Sequence, residues 1–129
     1  VLDQGPHGGS WSTFDISIDY EYSQSGDTFK IAGEAVLGDH QRNIYHLLKS
    51  LSVYLFFLDA DSRVIETVSL VNALNEKTDS SMNFDLLLHK PSSAAGISFG
   101  YTGYVCEYDN DPRRLHDGCL SFTQLPLRR

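Results

Sequence analysis

The chain has 129 residues, 41% of them hydrophobic and 21% charged, which suits one globular domain with a real core. Ten Lys and Arg against 17 Asp and Glu give a formal net charge of −7. That balance argues against nucleic acid or an anionic membrane surface as partner, since both attract basic patches. No run reaches the roughly 18–20 apolar residues of a membrane-spanning helix.

The opening VLDQGPHGGSWS is rich in Gly, Ser and Pro with no apolar period, so residues 1–12 read as a flexible tether and 13–129 as a single domain. A signal peptide, a lipid-anchored leader or a neighbouring domain all fit upstream of Val1. Period-two alternation starts in FDISIDYEY, with Phe14, Ile16, Ile18, Tyr20 and Tyr22 expected to face the core. After the turn cluster SQSGD comes TFKIAGEAVL, which places Phe29, Ile31, Gly33, Ala35 and Leu37 on one side. The two segments read as an antiparallel hairpin.

Residues 39–50, DHQRNIYHLLKS, shift to helical spacing through Ile44, Leu47, Leu48 and Leu51, with Asp39 as the expected N-cap. Next come SLSVYLFFLDA and RVIETVSL, joined by Asp59-Ala60-Asp61-Ser62, a turn of short polar side chains that bond their own backbone. VNALNEKTDSS reads either as a loop or as a frayed helical turn. MNFDLLLHK alternates with Phe84, Leu86 and Leu88 inward, GISFGYTGYVCEY with Ile97, Phe99, Tyr101 and Val105 inward, and CLSFTQLPL offers Leu120 and Phe122. About seven strands with regular turn signals and no helical crossover predict an all-β antiparallel sandwich of immunoglobulin-like type, carrying one short helix near residues 39–50.

In the third strand both faces are apolar. Val53, Leu55 and Phe57 fit the core, while Tyr54, Phe56 and Leu58 form an outer face that needs a cover. The helical turn with Ile44, Leu47 and Leu48 is the expected cover. Any part of Tyr54, Phe56 and Leu58 that it leaves open becomes the candidate interaction face, for a protein partner or a second copy of the chain.

No phosphate-binding loop, nucleophile elbow, zinc-protease helix, CxxC or EF-hand pattern occurs. The five histidines, His7, His40, His46, His89 and His116, fall in separate segments, and His40 and His46 do not share a helical face. No metal ligand set or cofactor is therefore expected. The stretch CEYDNDPRRLHDGC brings together Glu107, Asp109, Asp111 and Asp117, oxygen ligands of the kind Ca²⁺ takes, but Arg113 and Arg114 offset them, so a polar loop is the plainer reading. Carboxylates on outward or turn positions keep ordinary acidity, which argues against acid–base catalysis. No enzymatic activity is expected.

Cys106 and Cys119 are the only cysteines. Alternation places both outward, and a hairpin around residues 107–118 would bring the thiols together, so a disulfide is expected. It would imply a periplasm or cell surface.

The series FKIAGEAVLG, SLSVYLFFLDADSRVIETVSL, MNFDLLL and ISFGYTGYV resembles the bacterial FxLYD-type and related immunoglobulin-like sandwich domains over roughly residues 28–105. Gly33, the run Phe57-Leu58-Asp59 and Phe84 carry the likeness. The helical insert at 39–50 and the lack of a Pro-Gly turn before Phe84 depart from it. The resemblance implies a non-catalytic envelope module. The expected function is thus a non-enzymatic binding or assembly module of the bacterial cell envelope, the alternative being a carbohydrate- or calcium-binding sandwich module.

Overall fold

The computed structural model describes residues 5–107 and 118–126. The described chain runs β1 (Gly5–Ser12), β2 (Ile16–Ser25), β3 (Thr28–Leu37), α1 (Asp39–Ile44), β4 (Leu47–Leu58), β5 (Val64–Lys77), β6 (Met82–His89), β7 (Gly96–Cys106) and β8 (Cys119–Gln124). Two four-stranded sheets, ordered β1-β2-β3-β6 and β5-β4-β7-β8, pair antiparallel throughout. They stack as an all-β sandwich. Aromatic contacts between the sheets show the alignment: Tyr20 of β2 meets Phe99 of β7, and Phe29 of β3 meets Phe57 of β4. The alternating residues fill the core as expected, with Ile16, Ile18, Ile31, Val53, Leu55, Tyr101 and Val105 buried.

Several elements differ from the sequence expectation, each for a local reason. Described residues of the expected tether form β1, paired with β2 along its whole length from Gly5↔Gln24 to Ser12↔Ser17. His7, Gly9 and Trp11 lie opposite Tyr22, Tyr20 and Ile18 on that ladder. The pattern hides because its middle position has no side chain: a Cβ on Gly9 would stand 2.8 Å from the Tyr20 hydroxyl oxygen. With β1 counted, the strands number eight among the described residues rather than seven.

Phe14 is 71% exposed rather than inward. The Thr13 N–H donates to the Ile16 carbonyl at 2.8 Å, and the Thr13 hydroxyl accepts from the N–H groups of Asp15 and Ile16. That turn delays the strand until Ile16 and leaves Phe14 at its tip. The helix is a single short stretch whose N-cap position is Gly38, without a side-chain cap bond; Asp39 sits in the first turn and pairs with Arg42. Leu47 and Leu48 already belong to β4. VNALNEKTDSS, expected as loop or helix, supplies much of β5, where Val71 and Ala73 oppose Val53 and Leu51. Polar Asn72, Glu76 and Lys77 are tolerated because β5 is an edge strand with one open side.

Candidate binding cleft

Near the β1–β2 turn, the sandwich is closed by a polar bolt. Tyr101 is fully buried, and its hydroxyl donates to Asp15 Oδ2 at 2.6 Å. With that proton committed, the Thr13 hydroxyl donates to the Tyr101 oxygen at 2.7 Å. Gln41, buried on α1, donates from Nε2 to Asp15 Oδ1 at 2.7 Å. Burial, followed by the hydrogen bond to Asp15, pushes the Tyr101 phenol up to about 12. A phenol so reluctant to ionise is a structural tie rather than a proton shuttle at neutral pH. It holds β7 of one sheet to the β1–β2 turn and α1 beside the other.

Toward the far end of β2 the sheets part and leave a cleft of about 550 Å³. One wall is Tyr20 and Tyr22, whose rings lie nearly parallel at 14° with centroids 6.4 Å apart. Tyr22 is held from both sides, stacked on Phe29 at 5.2 Å and on His7 at 5.1 Å. A second wall is the β4–β5 turn from Leu58 to Ser62. Asp59 fixes that turn, its Oδ1 accepting from the N–H groups of Asp61 and Arg63, each at 2.9 Å. Ser62 takes the left-handed conformation that the turn requires, at φ 62°. The third wall is the start of β7, Ala95 to Ile97, anchored by the Ala95 N–H on the Leu58 carbonyl at 2.7 Å. These walls are packed rings and bonded turns, so the concavity is preformed.

A shallower trough of about 500 Å³ lies on the outer face of the first sheet, with Asp19, Glu21 and Glu34 along it. Asp19 and Glu34 are directly opposed. Ser10 and Ser81 hydroxyls each donate to one of these carboxylates, which spreads the like charge.

Of the candidate interaction face, Phe56 is only 3% exposed, while Tyr54 and Leu58 are half-buried. The expected helical cover is absent: Ile44 is 43% exposed, and Leu48 packs in the inter-sheet core instead. Phe56 is covered from its own sheet. Its ring lies over Gly100 of β7, where an added Cβ would stand 2.7 Å from Phe56 Cε2 and 3.1 Å from Leu125 Cδ2. Tyr54 flanks it at 6.2 Å. Leu58, placed on the same face by alternation, lines the cleft instead.

Cys106 and Cys119 are bonded as expected, directly opposite each other on β7 and β8 with Cα atoms 4.1 Å apart. Cys106 is buried rather than outward-facing on the surface. The described histidines scatter: His7 stacks on Tyr22, His40 meets Phe14 with its ring tilted, His46 bonds the Glu107 carbonyl and His89 lies 3.6 Å from Asp27. Among the described residues no three His, Cys, Asp or Glu side chains could hold a metal ion. Asp109, Asp111, Arg113, Arg114, His116 and Asp117 lie outside the described residues. No described helix is long and apolar enough to cross a membrane.

No protein-family model matches the chain, and no curated protein or solved structure is similar to it at a significant level. The tyrosine cleft was not visible in the sequence as a site. Tyr20 and Tyr22 read there as core residues, and the gap beside them arises only from how the sheets part.

Proposed function

We propose that the protein is a non-enzymatic binding or assembly module of the bacterial cell envelope, built on an immunoglobulin-like sandwich. The observation that carries this reading is the preformed tyrosine cleft, whose volume of about 550 Å³ lies in the range of ordinary ligand sites. Rigid rings with polar tips give large contact area for little loss of side-chain freedom on binding. The Cys106–Cys119 bond supports an oxidising compartment, a periplasm or cell surface. The resemblance of residues 28–105 to FxLYD-type envelope modules points the same way.

The near-parallel rings of Tyr20 and Tyr22 favour a second reading, in which the wall stacks against a sugar ring. A thermal-shift panel of extended peptides and oligosaccharides separates the two, because a ligand of the native state raises the midpoint. The expected result is a rise with peptides that Tyr20→Ser abolishes. A rise with oligosaccharides alone selects the sugar reading. Turnover of chromogenic ester, phosphate or glycoside substrates that Tyr20→Ser abolishes would overturn the non-enzymatic reading.

A further inference from the structure

We propose that the cleft is the mouth of a strand-addition site, in which the Gly96–Gly100 half of β7 takes an extended cationic segment of a partner polypeptide as a new strand of the second sheet. The inference rests on the binding reading above and specifies its mode. β7 pairs with β4 from Gly96 onward, but β8 reaches only Tyr101–Cys106. Among the described residues, no strand lies on the outer side of Gly96–Gly100. The β8 ladder stops at Gln124, and Pro126, just beyond Leu125, has no N–H to donate.

The hydrogen bonds fix which backbone groups face that open side. The Cys106 carbonyl accepts from His46 on the β4 side, whereas the Glu107 N–H donates to the Gly118 carbonyl on the β8 side. The Tyr101 carbonyl accepts the Thr123 hydroxyl at 3.0 Å, again from the β8 side. Backbone groups of an antiparallel strand alternate sides residue by residue. Ile97 and Phe99, in step with Tyr101, therefore turn both N–H and C=O outward. Another extended backbone matches such a row of donors and acceptors.

The opposite sheet overhangs this edge. Tyr20 packs on Phe99 at 4.9 Å, and Tyr22 lines the cleft together with Ile97. Charge specifies the partner further. The chain carries a net −7, and Asp59 and Asp61 stand on the turn beside Leu58, which pairs with Gly96. A segment bearing Lys or Arg fits that end. By contrast the β5 edge is broken by two register shifts and by Asn75 at φ 54°, devices that discourage pairing.

The test is amide hydrogen exchange on the full chain, with a short peptide of alternating Val and Thr flanked by Lys as the probe. Ile97 and Phe99 amides should exchange freely without peptide and slow by about tenfold or more when it is bound. The same peptide N-methylated at alternate amides should give no protection. Ile97→Pro, which removes an outward N–H but also the side chain packed on the core, should weaken binding, whereas Ile97→Val, which keeps the N–H, should leave it unchanged. Amides already protected in the free chain would overturn the proposal; a chain shortened after Pro126, and dilution, show whether the chain's own end or a second copy fills the edge. No protection at saturating peptide also overturns it. A ligand whose binding Tyr20→Ser abolishes, and which leaves Ile97 and Phe99 exchange unchanged, overturns strand addition while the binding reading stands.

Discussion

Tyr101 shows how one side chain serves both the apolar core and the polar bolt. Its ring packs with Trp11 and Phe122, and its hydroxyl ties Asp15 and Thr13. Tyr101→Phe keeps the ring but leaves Asp15 and Thr13, both half-buried, without that partner. A loss of roughly 1–3 kcal/mol in denaturant unfolding is expected. The phenol also couples stability to pH. Its folded value, about 12, lies above the unfolded value near 10. The stabilisation is complete below pH 10 and is lost as pH rises through 12, where the unfolded chain has already released the proton. The loss amounts to roughly 2–3 kcal/mol across that window, and Tyr101→Phe should remove that share of the dependence. Gly100 is the other decisive position, because the Phe56 ring occupies the space a Cβ would need. Gly100→Ala should cost roughly 1–3 kcal/mol by overpacking, read as a lower denaturation midpoint. Alternation alone identified Phe56 as an outer-face residue in need of cover. It could not supply the cover, which comes from a neighbouring glycine and from Leu125, remote in sequence.

At the scale of elements, the strands that alternate cleanly were legible, the edge strands β6 and β8 among them, whereas β1 and the second half of β5 were not. β2, β3, β6, β7 and β8 bury mainly one face, so their period shows; β4 buries Phe56 on its other face as well, and its first residues, Leu47 and Leu48, read as helix. β1 and the second half of β5 are edges, where glycine and polar residues satisfy a strand with only one neighbour. β1 nevertheless contributes to the core through Trp11, which packs on Phe99 at 5.7 Å and on Tyr101 at 6.1 Å. Trp11→Ala should cost about 3 kcal/mol and speed amide exchange along β1 before the rest of the first sheet. β8 has a different anchor. It is the shorter partner of β7, and the disulfide closes a separation of 13 residues at its first position. Replacing both cysteines by Ala should lower stability by about 3 kcal/mol in the chain-entropy model, measured against the oxidised protein in denaturant.

For the whole molecule, the all-β class followed from short alternating strands without crossover helices, because that pattern buries its apolar faces between stacked sheets or inside a closed barrel. The strand count, the extent of the helix and the location of the cleft did not follow. They depend on where the sheets stop covering one another, which is a property of pairs of strands far apart in sequence. Tyr20 and Tyr22 show this well. Inward-facing on β2, they would be ordinary core residues if β8 ran the full length of β7. Because it pairs with only part of that strand, the same two rings become the wall of an opening.

The position of the disulfide also determines how the molecule bears load. Tension applied to the chain at Pro126 enters β8 at Gln124, opposite Tyr101, and peels the ladder toward Cys119, opposite Cys106. At that pair the force meets a covalent bond and passes straight to β7. Peeling therefore stops there, and the segment between the two cysteines carries no tension. Stretched singly between β1 and Pro126, the oxidised protein should lengthen less on full extension than the reduced one. The difference should be about 40 Å, the reach of the bypassed residues at roughly 3.3–3.6 Å each less the span of the bond. Equal extension with and without reductant would show that the load takes another path.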